Sequence, residues 1–240
     1  MVNNTYSFVY SNRQVMDSRI VRSPIKNKGQ GFVASSNIPT GTIILREKPA
    51  FELSINDNIV SDIFEMLYQI FTCRDKNKIN KFLSMSPKTH HEFVHFREKI
   101  SLELKKLKLQ SNYIYQFFKK NFNNDEILLF CAKYMSNAFE YGDSIAILFN
   151  GRIFNHSCLP NIVFYRYNDE MCFITVRDIC KDEELLDSYV NITHDKKTRQ
   201  SRLWNQYRFH CNCQRCLSNC KQLDNKAKNI YKIKMKLCEN

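Results

Sequence analysis

The chain has 240 residues, with 36 Lys and Arg against 24 Asp and Glu, a formal net charge of +12, and only five Gly and five Pro. That length holds one sizeable domain, or a core with a small satellite, and the apolar and aromatic content excludes disorder over most of it. No segment approaches the ~18 apolar residues needed to span a bilayer, and "MVNNTYSFVYSNRQ" has no basic region leading into an apolar run; a protein of the nucleus or cytoplasm, neither secreted nor membrane-bound, is expected. The excess charge favours acidic partners or basic tails, although a Lys- and Asn-rich codon bias produces it equally well.

Along the chain, "GQGFVASSNIPTGTIILREK" at 29–48 predicts two short strands joined by a polar turn at residues 37 to 41. From about 57 to 140 the period becomes helical. Ile59, Ile63, Leu67 and Ile70 recur after a cap at Asn58. Phe93, Phe96, Ile100, Leu104 and Leu107 recur after Ser86 and Pro87, a cap followed by a first-turn proline, and a further helix runs from Asn124 to Ala138. Strand signals return in "SIAILF", "NIVFYRY", "MCFITVR" and "ELLDSYV", with turns at 168–170 and 178–183, before a helical segment at 193–207. The pattern predicts an α+β architecture in which a β-domain is split by a helical insertion.

Ten cysteines in a reducing compartment are expected as thiols, metal ligands or small buried hydrophobes. Four of them, Cys211, Cys213, Cys216 and Cys220, fall within ten residues. In "CNCQRC" the C-x-C and C-x-x-C spacings let one tight turn supply three thiolates to a tetrahedral zinc ion. The fourth ligand is either Cys220, giving a local site, or Cys158, which would fold the tail back over the core. Cys158 ends the polar run Asn155, His156, Ser157 and Cys158 inside "GRIFNHSCLPN". Such a run is either a buried, mutually satisfied polar cluster or a ligand-shaping loop with one metal ligand, and spacing alone does not choose. The glycines of "KNKGQGFVA" read, on their own, as a turn.

Taken together, "KGQGF", "NHSCLPN", "EELLDSYV" and "CNCQRC" occur in the order and spacing of one family, and the chain resembles the SET-domain protein-lysine methyltransferases over roughly residues 20–216. Within them it is most similar to the SMYD-like branch, through "RQSRLWNQYRFHCNCQRC" and "SNAFEYGD". Between Lys48 and Phe130 there is only Cys73, with three histidines, too few ligands for that branch's MYND finger, and the branch's long C-terminal helical domain is also expected to be absent. Asp182 stands where the family usually carries Gly; Asp tolerates left-handed geometry better than most residues.

The resemblance implies a SET-type knotted β fold split by a helical insertion, with a post-SET zinc site. The corresponding segments are an N-terminal SET part (20–50), the insertion (51–140), the core SET part (141–192), the zinc-binding segment (193–220) and a basic tail (221–240). It implies S-adenosyl-L-methionine as methyl donor, structural zinc, and a protein substrate presenting a lysine, histone or otherwise. Tyr189 matches the catalytic tyrosine. Cofactor contacts carry over to Lys28, Gly29, Gln30, Asn137, Asn155, His156, Tyr189 and Phe209, and zinc ligands to Cys158, Cys211, Cys213 and Cys216. Two other readings compete: a catalytically silent SET-fold binding module, and a basic zinc-containing nucleic-acid binder. The second rests on the charge of the tail, where six lysines face Asp224 and Glu239 for a net of +4.

Overall fold

Residues 15–55, 60–218 and 220–239 are described in a computed structural model of the chain. Its β-rich start comprises β1 (Val15–Met16), β2 (Ile20–Ile25), β3 (Gly29–Ala34), β4 (Ile43–Glu47) and β5 (Phe51–Ser54). The β2–β3 turn places Asn27 at φ 62° and Gly29 at φ 78°, in the left-handed region that Asn and Gly enter at least cost. Both strands expected from 29–48 are present, but they join different sheets: β3 runs beside β2, and β4 beside β1. The polar turn between them therefore carries the chain across the core, and Ile38 within it is buried and bridges to Ile179.

The helical stretch follows the expected periodicity with different punctuation. In α1 (Asp62–Thr72) the buried face is Ile63, Phe64, Met66, Leu67 and Ile70, and the N-cap position is Ser61; the expected cap Asn58 and Ile59 lie outside the described residues. After α2 (Lys76–Leu83), the single helix expected behind Ser86 and Pro87 is instead α3 (His90–Phe93), a 3₁₀ turn (Val94–Phe96) and α4 (Arg97–Gln110). The cap is not Ser86 but Thr89, whose side chain and that of Glu92 satisfy each other's backbone N–H groups in a capping box. Next come α5 (Asn112–Asn121) and α6 (Asn124–Asn137), the latter opened by a second capping box from Asn123 and Glu126.

Beyond the helices lie β6 (Ala138–Tyr141), β7 (Ser144–Ile147), β8 (Asn155–His156), β9 (Ile162–Tyr167), β10 (Glu170–Thr175) and β11 (Glu184–Asp187), then α7 (Lys196–Tyr207), α8 (Gln214–Leu217) and α9 (Lys221–Cys238). The sheet orders are β1-β4-β10-β9, β2-β3-β11-β8 and β5-β7-β6. Early strands thus complete late ones, with β4 antiparallel to β10 and β3 antiparallel to β11. Asp182, in the turn before β11, adopts φ 67° and donates its N–H to Ala34 O, so the turn keeps its left-handed geometry with Asp, at a conformational cost that Gly would not bear. The architecture is the expected α+β one, with the helices inserted between β5 and β6.

One connection shapes the rest. β8 pairs in parallel with β11, Asn155 opposite Leu186 and His156 opposite Asp187. Just beyond, the fully buried Asn161 clamps the same strand: its side chain accepts from Leu186 N–H at 2.7 Å and donates to Glu184 O at 2.9 Å. Residues 155–161 are thereby threaded against 183–187. The segment expected as a basic tail is mostly the helix α9, which buries Leu223 and Ala227 and packs on β9.

Candidate active site and metal centre

The thiols of Cys158, Cys211, Cys213 and Cys216 converge, their Sγ atoms all within 4.8 Å of one another. Cys220 is exposed and outside the group. Mutual hydrogen bonds from the other thiols push Cys213 down, and those from Cys158 and Cys211 push Cys216 down to about 6, while Cys158 and Cys211 are raised by the same sharing. Four convergent soft donors, largely buried, fit a tetrahedral zinc ion. Four thiolates on a dication leave a net charge of −2, and the buried guanidinium of Arg199, 3.9 Å from Cys216 Sγ, offsets part of it.

A second buried arginine ties this centre to its surroundings. Arg215 donates to Cys158 O at 3.0 Å, to Ile192 O at 2.7 Å and to Asp224 of α9 at 2.8 Å. Arg199 opens the segment that carries the resemblance, but no role is legible for it or for Arg215 in sequence. Both look like surface cations of helices, and only the fold shows what they face.

His156 links the metal centre to Tyr189. Its Nδ1 accepts the Tyr189 N–H at 3.0 Å, and its Nε2 lies 3.3 Å from Cys158 Sγ. Burial pushes this imidazole down to about 4. The ring is therefore neutral with its proton on Nε2, directed at the sulfur. Both nitrogens are committed, so any contact of residue 156 with a ligand falls to its backbone or ring face.

Tyr189 Oη donates to Phe154 O at 2.8 Å. Burial, with Tyr207 adding to it, raises the phenol far above its ordinary value, so it stays protonated. The ring lies 4.9 Å from that of Tyr207 and 5.3 Å from His156.

Two clefts meet at this residue. The first, of 860 Å³, has Lys28, Asn155, His156, Tyr189, Phe209 and Ile230 on its walls. The second, of 1180 Å³, is bounded by Asn137, Phe164, Asp187, Tyr189, Ile230 and Lys234. Tyr189 belongs to both.

The carried-over cofactor residues divide between these spaces. Lys28 pairs with Glu184 at 2.6 Å, and Asn155 Nδ2 donates to Glu184 at 2.8 Å and to Gln30 O at 3.1 Å. Gly29 and Gln30, the exposed first residues of β3, do not line the first cleft. Gly31 is needed for that packing: a Cβ there would meet Ile25 at 2.7 Å and Asn155 Nδ2 at 2.8 Å. Asn137 lies instead in the second cleft, its amide donating to Ser86 O and Lys133 O. Glu184, the hub of Lys28 and Asn155, was a residue the motif contained but whose role only the pairing of β3 with β11 reveals.

The sequence model of the SET domain matches residues 29–190. A SET domain-containing protein of Acanthamoeba polyphaga mimivirus is 44% identical over 219 residues, covering 91% of this chain and 85% of that protein. The chain belongs to the SET domain family. This SET protein is also 27% identical over 197 residues to the histone-lysine N-methyltransferase set5 of Schizosaccharomyces pombe, covering 80% of this chain and 49% of that one. With the N-lysine methyltransferase SMYD2 of Homo sapiens it shares 30% over 142 residues, 54% of this chain and 32% of the other. Among solved structures, the SET domain of LSMT bound to MeLysine and AdoHcy matches with a TM-score of 0.56 at 13% identity, over 81% of this chain and 53% of that one. The SET protein spans about half the length of that structure and of the fission-yeast relative. No described helix is long and apolar enough to cross a membrane.

Proposed function

We propose that this SET protein transfers a methyl group from S-adenosylmethionine to the side-chain amine of a protein lysine, with histone tails among the candidate acceptors, in the nucleus or cytoplasm. The observation that carries the reading is the position of Tyr189, a residue that lines both clefts. Relatives named as lysine methyltransferases, and a fold neighbour titled as Rubisco LSMT bound to AdoMet, support it.

The first cleft fits such a donor. It offers the Lys28 ammonium for a carboxylate, the Asn155 amide, and the aromatic face of Phe209 for a base. When bound there, S-adenosylmethionine supplies a methyl on an electrophilic sulfonium. Cys158, Cys211, Cys213 and Cys216 would hold zinc, which supplies structure rather than chemistry and fixes the segment bearing Phe209 against the knot.

The residues of the chain then have defined tasks. A lysine amine has a reference pKa near ~10.4 and attacks only when neutral, and the buried walls around Tyr189 disfavour its charged form. Because the Tyr189 hydroxyl spends its proton on Phe154 O, its lone pairs remain to accept an N–H and orient the amine. Alignment of this kind contributes several kcal/mol, on the order of 7 in favourable cases.

Incubation with labelled S-adenosylmethionine and lysine-bearing acceptors, histones included, tests the reading. Label on lysine that disappears in Tyr189→Phe supports it. Donor binding with no transfer to any acceptor would leave a silent SET-fold binding module.

A further inference from the structure

The second cleft holds an ammonium already. Lys234, on α9, places its Nζ 3.6 Å from the ring centroid of Phe164. Asp187, 5% exposed at the end of β11 and two residues before Tyr189, lines the same cleft; burial pushes its carboxyl up to about 6, and the charge of Lys234 acts in the opposite direction. Phe164, Asp187, Tyr189 and Lys234 all line this cleft. An aromatic face and a buried carboxylate lining one cleft are the groups that recognise a desolvated alkylammonium.

We propose that Phe164 and Asp187 form a cation subsite of the second cleft, filled in cis by Lys234, which a basic side chain flanking the target lysine takes over when substrate binds. The inference rests on the methyltransferase reading for the word target. It specifies the substrate class as a peptide with a second Lys or Arg near the modified lysine.

Two features favour displacement over a purely structural anchor. The helix is held elsewhere, by buried Leu223 and Ala227 and by the Arg215–Asp224 pair. Lys234 and Phe164 are each only half-buried, so their contact lies at the cleft surface and not inside the core. Recognition here is an exchange of one ammonium for another, which fixes the sign of the mutational effect.

The test measures equilibrium binding of two fluorescent peptides to the full chain without cofactor, one with a single lysine and one with a second lysine nearby. Lys234→Ala vacates the subsite and should tighten the dibasic peptide roughly five- to tenfold while leaving the single-lysine peptide unchanged. Lys234→Met, which keeps the alkyl stem, should do the same and carries the test if the Ala variant is unstable. Adding Phe164→Ala to either should cancel the gain. Equal weakening of both peptides in the Lys234 variants would make Lys234 an anchor and overturn the proposal, as would no change in either. Methyl transfer is read separately: dibasic preference without transfer keeps the subsite and rejects the methyltransferase reading, and transfer without preference does the reverse.

Discussion

In the helical region between β5 and β6, Phe71 meets the rings of Phe82, Phe118, Phe122 and Phe130 with centroids 4.6 to 6.5 Å apart, and Phe64 packs on Phe118 at 5.4 Å. Around the knot, burial falls on Asn161, Asp187, Arg199 and Arg215, and the apolar atoms are largely those of cysteines and tyrosines. Apolar burial is non-directional, so damage to the first region is graded and local. In the second, Asn161 and Arg215 are tied to several partners each, although Arg199 Nε has none, and removing one member of such a pair strands the other.

The sharpest way to test this contrast is the metal. Cys158→Ser should eliminate bound zinc, measured by atomic emission, and with it methyl transfer, because a structural zinc ion contributes ~10 kcal/mol or more to its site. Cys220→Ser should keep both. Zinc retained in the first variant and lost in the second would separate the cluster from the knot altogether.

Phe118→Ala attacks the other region. Phe118 is fully buried, and its truncation should lower unfolding free energy by about 3–5 kcal/mol in denaturant titrations. Zinc content in the surviving folded fraction should stay at the wild-type level. Parallel loss of zinc and stability would mean that the two regions unfold as one unit.

A smaller effect, confined to activity, is expected from Tyr189→Phe: turnover down roughly 100-fold with donor affinity within a few fold, since the hydroxyl touches Phe154 O and, on the proposed reading, would orient the acceptor amine. Near-normal turnover would remove Tyr189 from the chemistry. Smallest is Asn155→Ala, which strands Gln30 O and one oxygen of Glu184 and should cost about 1 kcal/mol, read as a few-fold weaker donor binding by calorimetry. Unchanged donor affinity would make Asn155 a part of the strand pairing only.

What could be read from the sequence follows the same division. Cysteine spacing is local, so "CNCQRC" announced a metal centre without any knowledge of the fold. Helical periodicity in α1, α4 and α6 is equally local, and so are the strands β7, β9, β10 and β11. The caps went astray because Ser86 precedes a proline and so has the signature of an N-cap, while the true box at Thr89 and Glu92 lies three residues on. β5 and β6 were missed because "FELS" and "AFEY" are too short to show alternation and are strands only by pairing with β7. The amphipathic character of α9 was hidden by its lysines: Leu223, Ala227 and Ile230 form a narrow stripe in a run that otherwise reads as solvated charge. Least readable were the long-range partners. Nothing near Glu184 in sequence points to Lys28, nothing near Asp187 points to Lys234, and nothing near Asn137 places it across Tyr189 from Asn155.

The ion pair of Lys28 with Glu184 joins residues 156 positions apart, and this distance has a consequence for biosynthesis. Ribosomes add about 5–20 residues per second, so β3 emerges on the order of 10 s before β11, its antiparallel neighbour, exists. Throughout that interval β3 and β4 each present an unpaired edge, the feature most prone to pairing with another chain. The intervening helices can meanwhile close over their own phenylalanines. A nascent SET protein of this design therefore passes through a stage with a finished helical centre and an open β rim, and a chaperone that protects it must recognise extended backbone rather than exposed helix.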